Sequence, residues 1–255
     1  HSPPECHPNT RKTIRDQIGK WLDESVSKQS SLLWLNGPTG VGKSVIAKTV
    51  SGFYDQIVAT FYFSTSSDKT TATLFPTLAW QLARRIPDTR KHIIASLKRN
   101  DSLQTSQIED QFDLLIIQPL KSTTTLKYRP VMVIDGVDEC TNEEMLGRFL
   151  RVLVKAGEGG DMPVRFIIFT THSFPTSDRL NTLCSYPVIS RIRIGFSQEC
   201  KDDMTRYLTD NFNAKNQPGD DPSPWFLPSD ISNLVEASCG QFLYASTIVG
   251  LLDDP

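Results

Sequence analysis

The chain has no excess of positive charge. Its 255 residues carry 27 lysines and arginines against 29 acids, for a formal net charge of −2. The basic footprint that tracks a phosphate backbone is missing, so no nucleic-acid partner is expected. Lys91, Lys98 and Arg99 form a local basic cluster, and that spacing reads as a solvated helix face. Cysteine is sparse: Cys6, Cys140, Cys184, Cys200 and Cys239 are odd in number, scattered, and form no C-x-x-C pair. That argues against a disulfide framework and a zinc site, and it fits a reduced, cytoplasmic compartment. Long apolar runs are also missing. The longest, FLYASTIVGLL at 242–252, is too short to span a bilayer, so no membrane partner is expected. No leader segment and no internal repeat is visible. Because the chain opens at His1 and stops abruptly at Pro255, it reads as a fragment of something longer.

What is present predicts a packed α/β protein. Hydrophobic residues make up 38% of the chain and charged residues 22%, enough apolar surface for a core. Short apolar runs at 31–36, 57–63, 129–135, 164–170 and 187–194 read as buried strands, bounded by turn residues. Between them lie stretches with apolar positions at three- and four-residue steps, predicted as helices over 73–86, 89–99, 106–120 and 142–157, the last with Asn142 as its N-cap. After the fifth strand the pattern is helical only, broken by the Pro-, Gly- and Asp-rich run 217–230, a loop or hinge. Strands alternating with helices imply a parallel sheet covered on both faces, and the all-helical tail implies a helical subdomain. Three units are expected: a helical lead-in over 1–30, an α/β core over 31–195 and an incomplete helical subdomain over 196–255. Trp21, Trp34 and Trp80 fall on apolar faces and are expected in the core. Trp225 is expected to pin the proline-rich loop, and His92 to sit at a core boundary. Ser173 has no evident His/Asp partner for nucleophilic catalysis.

One loop carries the chemistry. GPTGVGKS, Gly37 to Ser44, satisfies G-x-x-x-x-G-K-S/T, with a predicted strand before it and a helix after it. From average glycine usage, a chance match in a chain of this size is on the order of one in a hundred, and the flanking elements lower that further. Gly37, Pro38, Thr39, Gly40, Val41 and Gly42 form a turn whose N–H groups point inward. Together with the positive end of the helix opening at Lys43, Ser44 and Val45, they make an anion nest. Lys43 reaches the β- and γ-phosphates of a nucleotide, and Ser44 offers its hydroxyl to Mg²⁺.

VMVIDGVDEC, residues 131–140, supplies the second half. Four apolar residues place Asp135 at the carboxyl end of a buried strand, the side where open α/β sheets bind ligands. There it orients Mg²⁺, the Walker B role. Gly136 stands where a catalytic acid often follows, so a water-activating carboxylate comes from Asp138 or Glu139. Glu139 is the favoured base, with Asp138 in the metal and water shell. The alternative is that both acids only place negative charge at the next helix N-terminus.

NGPTGVGKS and VIDGVDEC together resemble the NACHT domain, a branch of the STAND class of P-loop NTPases, in the spelling of fungal NOD-like receptors. ECHPNTRKTIRDQIGKWL (5–22), LFPTLAWQLARRIP (74–87) and GQFLYASTIVGLL (240–252) extend the resemblance over essentially the whole chain. It implies a five-stranded parallel sheet of order 5-1-4-3-2 and a C-terminal helical lid over the nucleotide. It also implies base contacts just before the first strand, with Thr10 and Arg11 as candidates. At the end of the fourth strand this family usually shows an arginine facing the γ-phosphate. Here TTHSFP puts Thr171 and His172 in place of the serine and arginine, so His172 is either a weaker, pH-dependent sensor or no sensor at all. The activity implied is slow hydrolysis of Mg-ATP, with GTP possible, in a switch between an ADP-held closed monomer and a self-associated triphosphate form. An effector module upstream and a repeat sensor downstream are implied as partners in cis. The rival readings are a plain P-loop ATPase or kinase, and a scaffold that keeps its nucleotide intact.

Overall fold

The computed structural model describes residues 3–23, 30–64, 71–103, 106–124, 126–140, 142–171, 186–215 and 225–252. Five strands form one parallel sheet: β1 (Leu32–Gly37), β2 (Ile57–Tyr62), β3 (Val131–Asp135), β4 (Arg165–Thr171) and β5 (Ile189–Arg193). Their order is β2-β3-β4-β1-β5, the expected one. Each pair is parallel, with Leu35 beside Phe169, Asn36 beside Thr170 and Tyr62 beside Asp135. The strand ends that follow β1 and β3 therefore open on one rim of the sheet.

Period-two alternation divides the core into two layers. Trp34, Met132, Ile134, Phe166 and Ile168 face one side, where α3 (Thr71–Arg85), α4 (Pro87–Arg99) and α7 (Glu143–Glu158) cover them. Leu33, Leu35, Val133, Ile167 and Phe169 face the other, against α1 (Lys12–Leu22) and α2 (Lys43–Phe53). Both faces being covered explains why the strands read as unbroken apolar runs. Asn142 caps α7 by accepting from the Met145 N–H at 3.0 Å. The predicted helix over 106–120 is α5 (Ile108–Phe112), a π turn (Asp113–Ile117) and α6 (Gln118–Lys121). The Gln118 N–H reaches back five residues to the Asp113 carbonyl, just before Pro119, which has no N–H to give.

A third cluster belongs to the helical end, α8 (Gln198–Asn213), α9 (Pro228–Ala237) and α10 (Phe242–Leu251). Cys200, Met204, Leu208, Phe212, Ile231 and Val249 pack there, away from the sheet's layers. Trp225 stacks on Phe212 at 4.9 Å and donates its indole N–H to the Phe212 carbonyl, so it ties the end of the proline-rich run to this cluster.

Two further tryptophans are core as expected: Trp21 donates to the Ser30 hydroxyl and Trp34 to the Thr170 hydroxyl. Trp80 is not. It is 60% exposed, because the buried stripe of α3 runs through Leu74, Phe75, Leu78, Ala79 and Leu82, leaving position 80 on the outer side. His92 is half-buried on α4, as a boundary residue would be. Among the described residues, Cys6, Cys140, Cys200 and Cys239 are free thiols, and no helix is long and apolar enough to cross a membrane.

Candidate functional site

The loop after β1 is held from both sides. Val41 is fully buried in the α1/α2 layer and anchors it from below. Gly42 adopts φ +89, a left-handed conformation that an L side chain takes only under strain, immediately before α2 begins at Lys43. The turn thereby delivers the α2 N-terminus, with its partial positive charge, to the mouth of a cavity of about 670 Å³. Thr39, Gly40, Val41, Gly42, Lys43, Ser44 and Val45 line that cavity. Gly37 and Pro38 support it from behind, their carbonyls accepting from the Lys43 ammonium at 3.0 and 2.9 Å. Burial pulls the Lys43 ammonium below its usual range, while Asp138, Asp135 and Glu139 act in the opposite sense.

Asp135 ends β3 opposite this lysine and is only 4% exposed. The Ser44 hydroxyl hydrogen-bonds its carboxylate, so the two oxygen ligands expected for Mg²⁺ already face each other. Among the described residues no group of three His, Cys, Asp or Glu side chains could hold a metal by itself. A pair of hard oxygens that leaves most positions to phosphate and water is the donor set Mg²⁺ takes, and the residues fit it.

Gly136, at φ +69, turns the chain out of β3 so that Val137 sinks into the core while Asp138 and Glu139 stay at the cavity. The two acids differ. Asp138 accepts the Thr171 N–H at 3.0 Å and so joins the end of β3 to the end of β4. Glu139 is exposed and lines the cavity. Thr171 lines it too, whereas His172 and Ser173 lie outside the described residues.

The far side of the cavity comes from the two ends of the chain. The Thr10 hydroxyl donates to the His7 carbonyl, and Thr10 lines the wall. Arg11 does more than line it. Its backbone N–H donates to Asp203 on α8 at 2.8 Å, its guanidinium donates to the Val41 carbonyl at 2.7 Å, and that guanidinium lies 4.8 Å from the Phe242 ring of α10. The Leu243 N–H donates to the Gly40 carbonyl at 3.0 Å, so α10 is bonded directly to the glycine loop. Pro4, Glu5, Cys6, His7, Tyr207, Phe242, Leu243 and Ser246 complete the lining. Sequence reading did not find the bonds among them, since Arg11 and Asp203 stand 192 positions apart and no local spacing marks the pair.

This geometry agrees with the comparisons. Residues 11–170 match the family described as Nephrocystin 3, N-terminal. The chain belongs to that family. It is a NACHT-like P-loop NTPase in fold, with the mononucleotide cradle and the Walker B strand both inside the matched span. Among solved structures, a Walker-type ATPase of Pyrococcus abyssi superposes with a TM-score of 0.62 at 13% identity, over 100% of this chain and 71% of that one. The RuvB Holliday junction branch migration motor of Thermotoga maritima superposes with a TM-score of 0.50 at 11% identity, over 99% of this chain and 65% of that one. At such identities the likeness is one of fold. No curated protein matches the chain.

In this member of the nephrocystin 3 N-terminal family the Walker B acid is held at a cost. Burial pushes the Asp135 carboxyl up from 3.8 to about 6, and Asp138 adds to the rise. The Ser44 hydroxyl, the Gly136 N–H and the Lys43 ammonium offset part of it. A raised value means that the folded chain favours the protonated acid. The cost of ionising it is absent below 3.8, builds as the pH climbs towards 6, and is complete above that. At neutral pH it is on the order of 2–3 kcal/mol. Asp135→Asn is therefore expected to raise the thermal unfolding midpoint at pH 7 in buffer free of metal and nucleotide, the gain fading towards pH 4. A midpoint at pH 7 that stays level or drops would show that the carboxylate costs the fold nothing.

Proposed function

We propose that the chain is the nucleotide-binding oligomerisation module of a cytoplasmic NOD-like receptor, one that binds Mg-ATP, hydrolyses it slowly and switches with the nucleotide state. The α/β part at 31–195 serves as the NTPase core, 1–30 as its lead-in and 196–255 as the lid. The observation that carries this reading is the junction at the glycine loop. The loop's own carbonyls, at Gly40 and Val41, accept from Leu243 and Arg11, so the phosphate cradle is mechanically part of the lid. In an enzyme whose only purpose is turnover, the cradle needs no such bond. In a switch it is the contact through which a change at the phosphates biases the lid.

The roles follow from position. The amide N–H groups of residues 37–45, Pro38 excepted because it has none, and the Lys43 ammonium hold the β- and γ-phosphate oxygens. Ser44 and Asp135 hold Mg²⁺, which when bound neutralises charge on the polyphosphate. Glu139 takes a proton from the attacking water, and Asp138 keeps the ends of β3 and β4 in register. Thr10 and the Arg11 region face the base. ATP is favoured over GTP because no guanine-reading N/T-K-x-D run is present in the sequence. A γ-phosphate sensor at His172 stays part of this reading.

To move from mostly closed to mostly open, the triphosphate must favour the open form by about 5.5 kcal/mol over the diphosphate. The test is multi-angle light scattering of the chain with Mg-ADP and with a non-hydrolysable Mg-ATP analogue, alongside steady-state turnover. Monomer with the diphosphate, self-association with the analogue and slow turnover are the expected results. Sustained turnover by a monomer would move the chain to the plain ATPase class, and triphosphate left intact after long incubation would make it a scaffold. Mass spectrometry of co-purifying nucleotide separates adenine from guanine.

A further inference from the structure

A second cavity, of about 730 Å³, lies between α3 and α4. It shares no residue with the nucleotide cavity. Its floor is apolar: Ala79 and Ala83, one turn apart on α3, face Ile93 and Leu97 on α4. The small alanines keep the trough open where larger residues would close the helix pair. One wall is Trp80, 60% exposed, an unusual position for the most costly side chain to leave in water. The Arg84 guanidinium lies over its ring, 4.7 Å from the centroid. Arg84 and Arg90 form the rim.

Charge narrows the occupant. The segment 71–99 carries six lysines and arginines against one acid, Asp88, in a chain whose formal net charge is −2. Two of these, Arg84 and Arg90, stand at the trough itself, and no acid lines it. We propose that the α3–α4 trough is a docking site for an acidic amphipathic helix of a partner protein, whose aliphatic residues fill the trough beside Trp80 while its carboxylates meet Arg84 and Arg90. Helix-in-groove recognition needs a concave apolar floor, an aromatic anchor and a charged rim, and all three are present. A bilayer calls for apolar side chains that protrude, whereas these are sunk between two helices. Nucleic acid calls for a polar track along its backbone, and the floor here has none.

The probe is a fluorescein-labelled, acetylated and amidated 18-residue helical peptide, with leucines repeating at three- and four-residue steps on one face and glutamates on the other. Fluorescence anisotropy with the 255-residue chain is expected to give saturable binding that weakens as salt is raised. Trp80→Ala and the double charge reversal R84E/R90E should each weaken it by about tenfold or more. All three side chains are exposed, and circular dichroism melts check that both variants stay folded. If one variant unfolds, the other decides. The proposal is overturned if the peptide fails to bind, if its scrambled or lysine-faced version binds as well, or if the folded variants bind like the parent. It is equally overturned if oligo-dT or phosphatidylserine vesicles are held more tightly than the peptide.

Discussion

Lys43→Ala is expected to weaken nucleotide binding by roughly a hundredfold or more. The ammonium is the single cation at the head of α2 that faces Asp135, Asp138 and Glu139 across the cavity, and no neighbouring side chain of the loop can replace its charge. Charge-assisted bonds to phosphate are worth about 1.5–3 kcal/mol each, and a lysine that bridges two phosphates makes more than one. The fold should tolerate the change. Without nucleotide the ammonium donates to the Gly37 and Pro38 carbonyls, where β1 gives way to the loop. Isothermal titration with Mg-ATP and a thermal melt without it separate the two effects. Affinity within a few fold of the parent would mean that the loop does not hold the polyphosphate as argued. A collapse of the melt would mean that the two carbonyl bonds matter more to the loop than their position implies.

The parts of this site that were legible in the sequence are those whose geometry is local. The cradle is eight contiguous residues, because backbone amides must turn inward within a single loop, and that requirement writes glycines at fixed spacing. The position of Asp135 was legible because a short apolar run rich in β-branched residues, bounded by turn residues and ending in an acid, reads as a buried strand, which β3 is. The strand order came from resemblance: parallel strands are joined by long crossovers, and nothing in the spacing of the apolar runs says which strand lies between β1 and β3. The bond between Leu243 and Gly40 and the Arg11–Asp203–Val41 link were illegible for a stronger reason. Two of these bonds, Leu243 to Gly40 and Arg11 to Asp203, join segments about two hundred residues apart, and all are made by backbone groups or by side chains that many residues carry. Thr10 and Arg11 were singled out as base contacts. Both line the cavity, yet the Arg11 guanidinium is already committed to the Val41 carbonyl and the Phe242 face.

Trp80 shows the opposite failure. A tryptophan inside TLFPTLAWQLARRI was assigned to the apolar face of its helix and so expected in the core. The angular position decides otherwise: Ala79 and Leu82 face inward, and residue 80 is rotated past the edge of that stripe. Composition says that a large apolar side chain gains by burial, but it does not say against what.

Glu139→Gln is expected to slow hydrolysis by about 10²-fold or more while leaving Mg-nucleotide affinity nearly unchanged. The amide keeps the shape and loses the proton acceptor. The prediction turns on a division of labour between two adjacent acids, Asp138 half-buried at the end of β4 and Glu139 exposed at the cavity. Asp138 already accepts a backbone N–H from Thr171, so its carboxylate is oriented along the sheet rim and tied to the strand that leads into His172. Glu139, one residue further around the short 3-10 turn Val137–Glu139, stands exposed at the cavity, where a water can reach it. Asp138→Asn retains an oxygen for the Thr171 N–H and should cost less in turnover than Glu139→Gln. Asp138→Ala removes that tie and should disturb nucleotide affinity as well, because the end of β4 then loses its link to β3. Single-turnover rates for the three variants, each measured at saturating Mg-ATP, test the assignment. If Asp138→Asn is the slower enzyme, the base and the positioning acid exchange roles. If neither substitution changes the rate, the water is activated from elsewhere, and the pair serves only as negative charge beside Lys43.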